Sequence, residues 1–245
     1  MKKCTVLTIF FLICLITACS QEDALTNAVL EGDANQVKTF LENGANPNRK
    51  DSLGRPLLIT AIIKENDKIV ELLLDHGADP NSAFHIPAIR FAIPVVKCHE
   101  RILNLLLQAG ALPDPPDLID GSTPLMAAAS AGNIKCFRML LRAGANIHAT
   151  NRISNGNVAF EAALSGNVDV LSEILKSDVD VDKRIFNNFT PLMIAAAGRH
   201  RAFVQLLLKS GRVDACARNK KNKTAAMIAE HNGYKEISKL LPKCK

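Results

Sequence analysis

A spacing of 33 or 34 residues runs through this chain of 245. A helix-stopping residue recurs at Gly44, Gly77, Gly110, Gly144, Asp178 and Gly211, in steps of 33, 33, 34, 34 and 33. An apolar pair precedes each stop: Phe40-Leu41, Leu73-Leu74, Leu106-Leu107, Leu140-Leu141, Ile174-Leu175 and Leu207-Leu208. Helix starts are expected at Ala24, Pro56, Pro87, Pro124, Val158, Pro191 and Ala225. The stretch Thr123–Gly144 is the clearest copy. Thr123 is placed to cap a helix whose first turn carries Pro124, where a missing N–H costs nothing. Ala127, Ala128, Ala129 and Ala131 let that helix lie close to its neighbours. Gly132-Asn133 turns the chain into a second helix, where Phe137, Leu140 and Leu141 recur at helical spacing. Gly144 supplies the left-handed residue that stops it. A helix pair this small cannot bury its own apolar face, so copies must stack. The period predicts an all-α solenoid of about seven helix pairs over residues 24–241, read as one elongated domain with a tail at 242–245.

The hexapeptide Thr190-Pro191-Leu192-Met193-Ile194-Ala195 nearly repeats Thr123-Pro124-Leu125-Met126-Ala127-Ala128. The period, together with T-P-L-H-x-A and G-A-x-x-N patterns, resembles the ankyrin-repeat family over roughly residues 23 to 241. The chain departs from that pattern in two ways. The His of the motif is Met or Leu, and Asn157-Val158 replaces Thr-Pro in the fifth copy.

The resemblance implies a protein partner, bound by the loop tips and by the exposed face of each first helix. Carried over residue by residue, it points to Leu53, Arg55 and Ile63 in copy two and to His85 in copy three. In copy four it points to Ile119, Asp120, Ser122 and Ser130. Later copies contribute Ile153, Ser154, Phe186, Asn187, Phe189, Lys220, Lys221 and Lys223. Ile119, Ile153, Phe186 and Phe189 are apolar. Such tips either form a contact cluster or tuck back between repeats. Copy three is irregular, with Pro94 near its helix end and about four residues inserted around Pro113-Asp114-Pro115-Pro116-Asp117. That segment reads either as a stiff spacer or as a protruding contact loop.

The first 18 residues follow other rules. Lys2-Lys3 precedes an apolar run from Thr5 to Ala18, too short to cross a bilayer and right for a secretory signal. Leu15-Ile16-Thr17-Ala18-Cys19 resembles a bacterial lipobox. That implies cleavage before Cys19 and lipid on its thiol, each buried methylene adding about 0.8 kcal/mol to the anchor. The alternative is an uncleaved apolar segment with an incidental Cys19. Residues 19–23 would form a tether of at most about 14 Å beyond the lipidated residue. Ser20, rather than Asp, after the Cys resembles the sorting pattern of outer-membrane lipoproteins. The expected location is the periplasmic face of the outer membrane of a Gram-negative bacterium.

No reaction centre is legible. His99-Glu100 is not followed by a second His, since Leu103 stands at that position, and neither a G-x-S-x-G elbow nor a phosphate loop occurs. Asp178-Val179-Asp180-Val181-Asp182 starts like a calcium loop, but Lys183 takes the glycine position, so it reads as a repeat loop. No CxxC pattern suggests a metal. Cys136 occupies an apolar helix position and is expected to be a small buried hydrophobe. Cys98 falls at an inter-helix corner, and Cys216 and Cys244 could pair in an oxidising compartment. The chain is expected to be non-enzymatic, without metal, cofactor or small-molecule substrate.

Charge is uneven. Residues 19–182 carry 14 Lys+Arg against 21 Asp+Glu, while residues 183–245 carry 14 against 3. The basic end is either a solvated cap or a means of steering an acidic partner or anionic headgroups. Trp is absent and only one Tyr occurs, which speaks against nucleic-acid stacking. Within the ankyrin family, the chain resembles lipoproteins that serve as immunity partners of type VI secretion lipase effectors. An envelope-stress scaffold supporting an oxidant-defence enzyme is the alternative. A host-directed effector is disfavoured, because tethering opposes secretion.

Overall fold

The computed structural model describes residues 24–82, 98–115 and 120–244. Cys19, His85, Pro87, Pro94 and Ile119 lie outside them, as do the apolar leader and the tether. The fold is all-α and repetitive. Among the described residues the only extended pairings are two isolated bridges, Lys50 with Pro56 and Thr150 with Asn157. The chain, expected as one elongated domain, divides into two compact units, Met1–Pro94 with Arg101–Ala111 and Val95–Glu100 with Leu112–Lys245. The division falls in copy three, the copy with the inserted residues.

In the first unit, α1 (residues 24–31) and α2 (Ala34–Glu42) form one pair. The next is α3 (Leu57–Ile63) with α4 (Asp67–Asp75), followed by α5 (Glu100–Gln108). Leu25, Leu57, Ile59, Ile69 and Leu73 are fully buried in its core. In the second unit the pairs are α6 (Pro124–Ser130) with α7 (Ile134–Arg142), and α8 (Val158–Ser165) with α9 (Val168–Ile174). They continue as α10 (Pro191–Ala197) with α11 (Arg201–Lys209), and α12 (Ala225–His231) with α13 (Lys235–Ser238). First helices stack on first helices, in the order α6, α8, α10, α12.

Helix starts follow from local chemistry. The side chains of Thr123, Thr190 and Thr224 accept the N–H of Met126, Met193 and Met227, each relieving one unpaired donor of the first turn. Asn157 does the same for Ala159 and Phe160, so the fifth copy loses nothing by lacking Thr-Pro. Copy two differs. Pro56 is itself the cap, no side chain caps the helix, and α3 begins one residue later than expected, at Leu57.

Helix ends follow the same logic. Gly144 has φ +90°, its N–H bonds the Leu141 carbonyl and the N–H of Ala145 bonds that of Leu140. Those paired bonds define the left-handed stop expected there. Asp178 does not repeat it: α9 ends at Ile174. The Arg212 guanidinium from the next copy donates to the carbonyls of Leu175, Ser177 and Val179, supplying partners that this helix end would otherwise lack.

Packing sorts the alanines. Ala128 and Ala129 are buried, as are Ala162, Ala163, Ala195 and Ala196, while Ala127 is half-buried and Ala131 is an exposed cap. Phe137 and Phe203 are fully buried between second helices, each ring contributing about 2 kcal/mol.

Cys136 requires a correction. It is buried, as its apolar position demands, but it is not a free thiol: it forms a disulfide with Cys98. Cys98 sits at a corner with φ +49°, which turns its side chain toward α7. The pairing left open for Cys216 and Cys244 is present.

Candidate partner-binding surface

Each repeat begins with a loop closed at its base by its own backbone. Asp51 N–H bonds the Arg55 carbonyl, Asn151 N–H that of Gly156, Ile185 N–H that of Phe189, and Asn219 N–H that of Lys223. Inside three of the loops one side chain organises the turn. Asp51 accepts the N–H groups of Leu53 and Arg55, Asn151 those of Ile153 and Ser154, and Asn219 those of Lys221 and Lys223. Asn155, Asn187 and Asn222 occupy left-handed positions, which short polar side chains tolerate. The tip side chains are therefore free of any role in building the loops.

Several of them face water. Ile153 is 80% exposed, Leu53 72% and Phe186 71%. Phe189 parts from Phe186: it is half-buried against the base of its loop. Lys220, Lys221 and Lys223 are all exposed, and the Lys220 ammonium lies over the Phe186 ring, 6.0 Å from its centre. Neighbouring tips are coupled through backbone. Arg152 N–H donates to the Asp120 carbonyl at 2.7 Å, and Lys220 N–H to that of Asn187 at 2.9 Å.

Two expected contact residues are occupied by the fold instead. The Arg55 guanidinium grips the Asp51 carboxylate at 2.8 Å. Ile63 packs against the first unit's core.

Asp120, Ser122 and Ser130 are brought together. Ser122 Oγ donates to Asp120 Oδ2 at 2.9 Å and accepts from Asn151 Nδ2 at 2.7 Å. Below them lies a hollow of about 360 Å³ lined by Ser122, Met126, Ala127, Ser130, Ala131 and Glu161. Burial pushes the Glu161 carboxyl above its ordinary range; a hydrogen bond with Ser130 opposes this and the Asp120 charge adds to it.

Glu161 escapes the sequence reading because it stands in an Ala-rich first turn with no motif of its own. The ties between repeats escape it too. Asn66, Asn167 and Asn232, each at the start of a second helix, donate back to the carbonyls of Gly32, Gly132 and Ala197. His200 takes that place in copy six and donates to the Leu164 carbonyl. Their common position, 33 to 35 residues apart, is the signal that could have exposed them.

Among the described residues, no group of three His, Cys, Asp or Glu side chains is placed to hold a metal, and no helix is long and apolar enough to cross a membrane. The Asp178–Asp182 stretch works as a repeat loop: Asp180 accepts the Asp182 N–H and Asp182 that of Asp214.

Comparison with known proteins agrees with this architecture. The family described as ankyrin repeats (3 copies) matches residues 6–84, 91–185 and 159–245. Over 159 residues the chain is 29% identical to the potassium channel AKT2/3 of Arabidopsis thaliana, a match covering 51% of this chain and 18% of the channel. Over 100 residues it is 28% identical to the mitochondrial disaggregase of Bos taurus, covering 41% of this chain and 15% of that protein. The chain thus spans less than a fifth of the length of these relatives.

Proposed function

The chain belongs to the ankyrin-repeat family, and from that premise we propose that it is a lipid-anchored immunity protein that binds and occludes a toxic phospholipase in the periplasm. Ankyrin repeats are protein-interaction modules, and the exposed tips of Leu53, Ile153 and Phe186 offer a surface suited to that role. The observation that carries the periplasmic reading is the pairing of Cys98 with Cys136 and of Cys216 with Cys244. Disulfides persist in oxidising compartments, and the lipobox-like run ending at Cys19 would deliver the chain to one. The step to a lipase rests on resemblance to ankyrin lipoproteins that neutralise such enzymes. A short tether agrees with it, because the toxin would be met beside its membrane substrate.

The test is a pair of strains expressing the wild-type chain or Cys19→Ala, labelled with radioactive palmitate and challenged with the phospholipase encoded beside its gene. Label on the wild type alone, with co-purification of the enzyme and survival, supports the reading. Absence of label at Cys19, or no protection by a labelled wild-type chain, sinks it.

A further inference from the structure

We propose that the tips of copies five to seven, formed by Ile153, Phe186, Lys220, Lys221 and Lys223, take an acidic protein segment that carries apolar side chains. This rests on the protein-binding reading above and supplies the chemistry of the partner. Ile153 and Phe186 are the most exposed large hydrophobic residues described in the second unit, at 80% and 71%. Neither is needed to shape its loop, since Asn151 organises one turn and Asn187 supplies the left-handed residue of the other. Beside them stand three ammonium groups with no carboxylate partner among the described residues. Lys220 is held over the Phe186 ring by a cation–π contact and by its own N–H on the Asn187 carbonyl. Charge and apolar surface therefore meet at one edge.

The sign of the charge selects the occupant. A basic segment would meet like charge, and a neutral apolar one would strip water from three cations without pairing them. An acidic segment with Leu or Phe side chains pairs the lysines and covers Phe186 and Ile153 together, which strengthens the ion pairs by excluding solvent. An anionic bilayer is the competing occupant. The carboxylates of Asp120 and Glu161 lie one step along the same stack, where Arg152 bonds Asp120. A uniformly anionic surface would be repelled there, whereas a peptide can stop short.

The experiment uses the full, oxidised chain and fluorescent peptides roughly ten residues long, enough to cross three repeats at about 3.3 Å per residue. One peptide alternates Glu with Leu and Phe; a second replaces every Glu by Lys; a third replaces every Leu and Phe by Ser. Phosphatidylglycerol vesicles form the lipid arm. The acidic apolar peptide is expected to bind at least about tenfold tighter than either control, weakening as salt rises. The Lys220→Ala/Lys221→Ala/Lys223→Ala triple variant and Phe186→Ser are each expected to lose about tenfold, with unchanged thermal melts because all four side chains are exposed. Indistinguishable binding of the three peptides overturns the proposal. So does lysine- and Phe186-dependent binding to the vesicles without binding to the acidic peptide. Failure of the immunity reading looks different: the chain would bind the peptide yet neither capture nor neutralise a lipase. Full protection by both variants would instead overturn the surface assignment alone.

Discussion

The imidazole of His200 occupies the space in which a Cβ on Gly166 would lie, 2.2 Å from the nearest ring atoms. A Cβ on Gly198 would crowd the same ring from its other side, 2.5 Å from Nε2. Between them, Nε2 donates to the Leu164 carbonyl at 3.1 Å and ties copy six to copy five. Gly166→Ala should therefore cost more than a backbone penalty. Gly144→Ala is the control, because nothing lies within 4 Å of its missing Cβ and only its φ of +90° opposes a side chain. Chemical denaturation should show a loss of about 1–2 kcal/mol for Gly144→Ala. Gly166→Ala should lose roughly 1 kcal/mol more, from the displaced hydrogen bond. Equal losses would show that His200 is not a tie.

The disulfide between Cys98 and Cys136 closes a stretch of 38 residues. Chain-entropy arguments put its stabilisation at about 4 kcal/mol, with about 2–4 kcal/mol typical of measured cases. The Cys98→Ser/Cys136→Ser double variant is expected to melt well below the oxidised parent. Under a strong reductant the two should nearly coincide, apart from the contribution of Cys216–Cys244. An unchanged melt in the oxidised comparison would show that the bond does not form.

Asp51 tests whether Arg55 serves the fold. Burial works against the Asp51 charge, but the Arg55 side chain and N–H, the Leu53 N–H and the Thr60 hydroxyl outweigh it and hold the carboxyl below its ordinary range. A depressed folded-state value means stability that is present above the unfolded-state value and lost as pH falls through the folded one. Asp51→Asn should cost about 1–3 kcal/mol near neutrality, by leaving buried donors poorly paired. The difference should shrink in strong acid. Arg55→Ala should also destabilise the chain, and a variant that only weakened partner binding would restore Arg55 to the contact surface.

Glu161 has the opposite sign. Its folded-state value is raised, first by burial and then by Asp120, against the hydrogen bond from Ser130. Its contribution is therefore most favourable below the ordinary carboxylate range and is lost as pH rises through the folded value. Glu161→Gln is expected to raise the melting temperature at neutral pH and to flatten its pH dependence. A parallel offset between the two proteins across the carboxylate range would contradict this.

Period and punctuation were legible in the residues because Gly, Pro, Thr and the apolar pairs act through local backbone chemistry. Gly144 stops its helix and Thr123 caps its own without help from distant groups. What stayed hidden depends on residues a full repeat away. Arg212 repairs a helix end more than 30 residues earlier in the chain, Cys98 reaches Cys136, and Arg55 is drawn onto Asp51. Of the expected tips, Ile153 and Phe186 stand out in water while Ile63 packs inward. A repeat motif specifies backbone register but leaves each side chain to its neighbours.

Cys216 stands four residues before Lys220, and its bond to Cys244 stitches the final segment onto the loop that leads to the lysine tip. A freshly made chain in a reducing cytosol has a loose hem at its cationic edge. Only after oxidation is that edge sewn down, so a nascent copy would be a poor competitor for partners met before export.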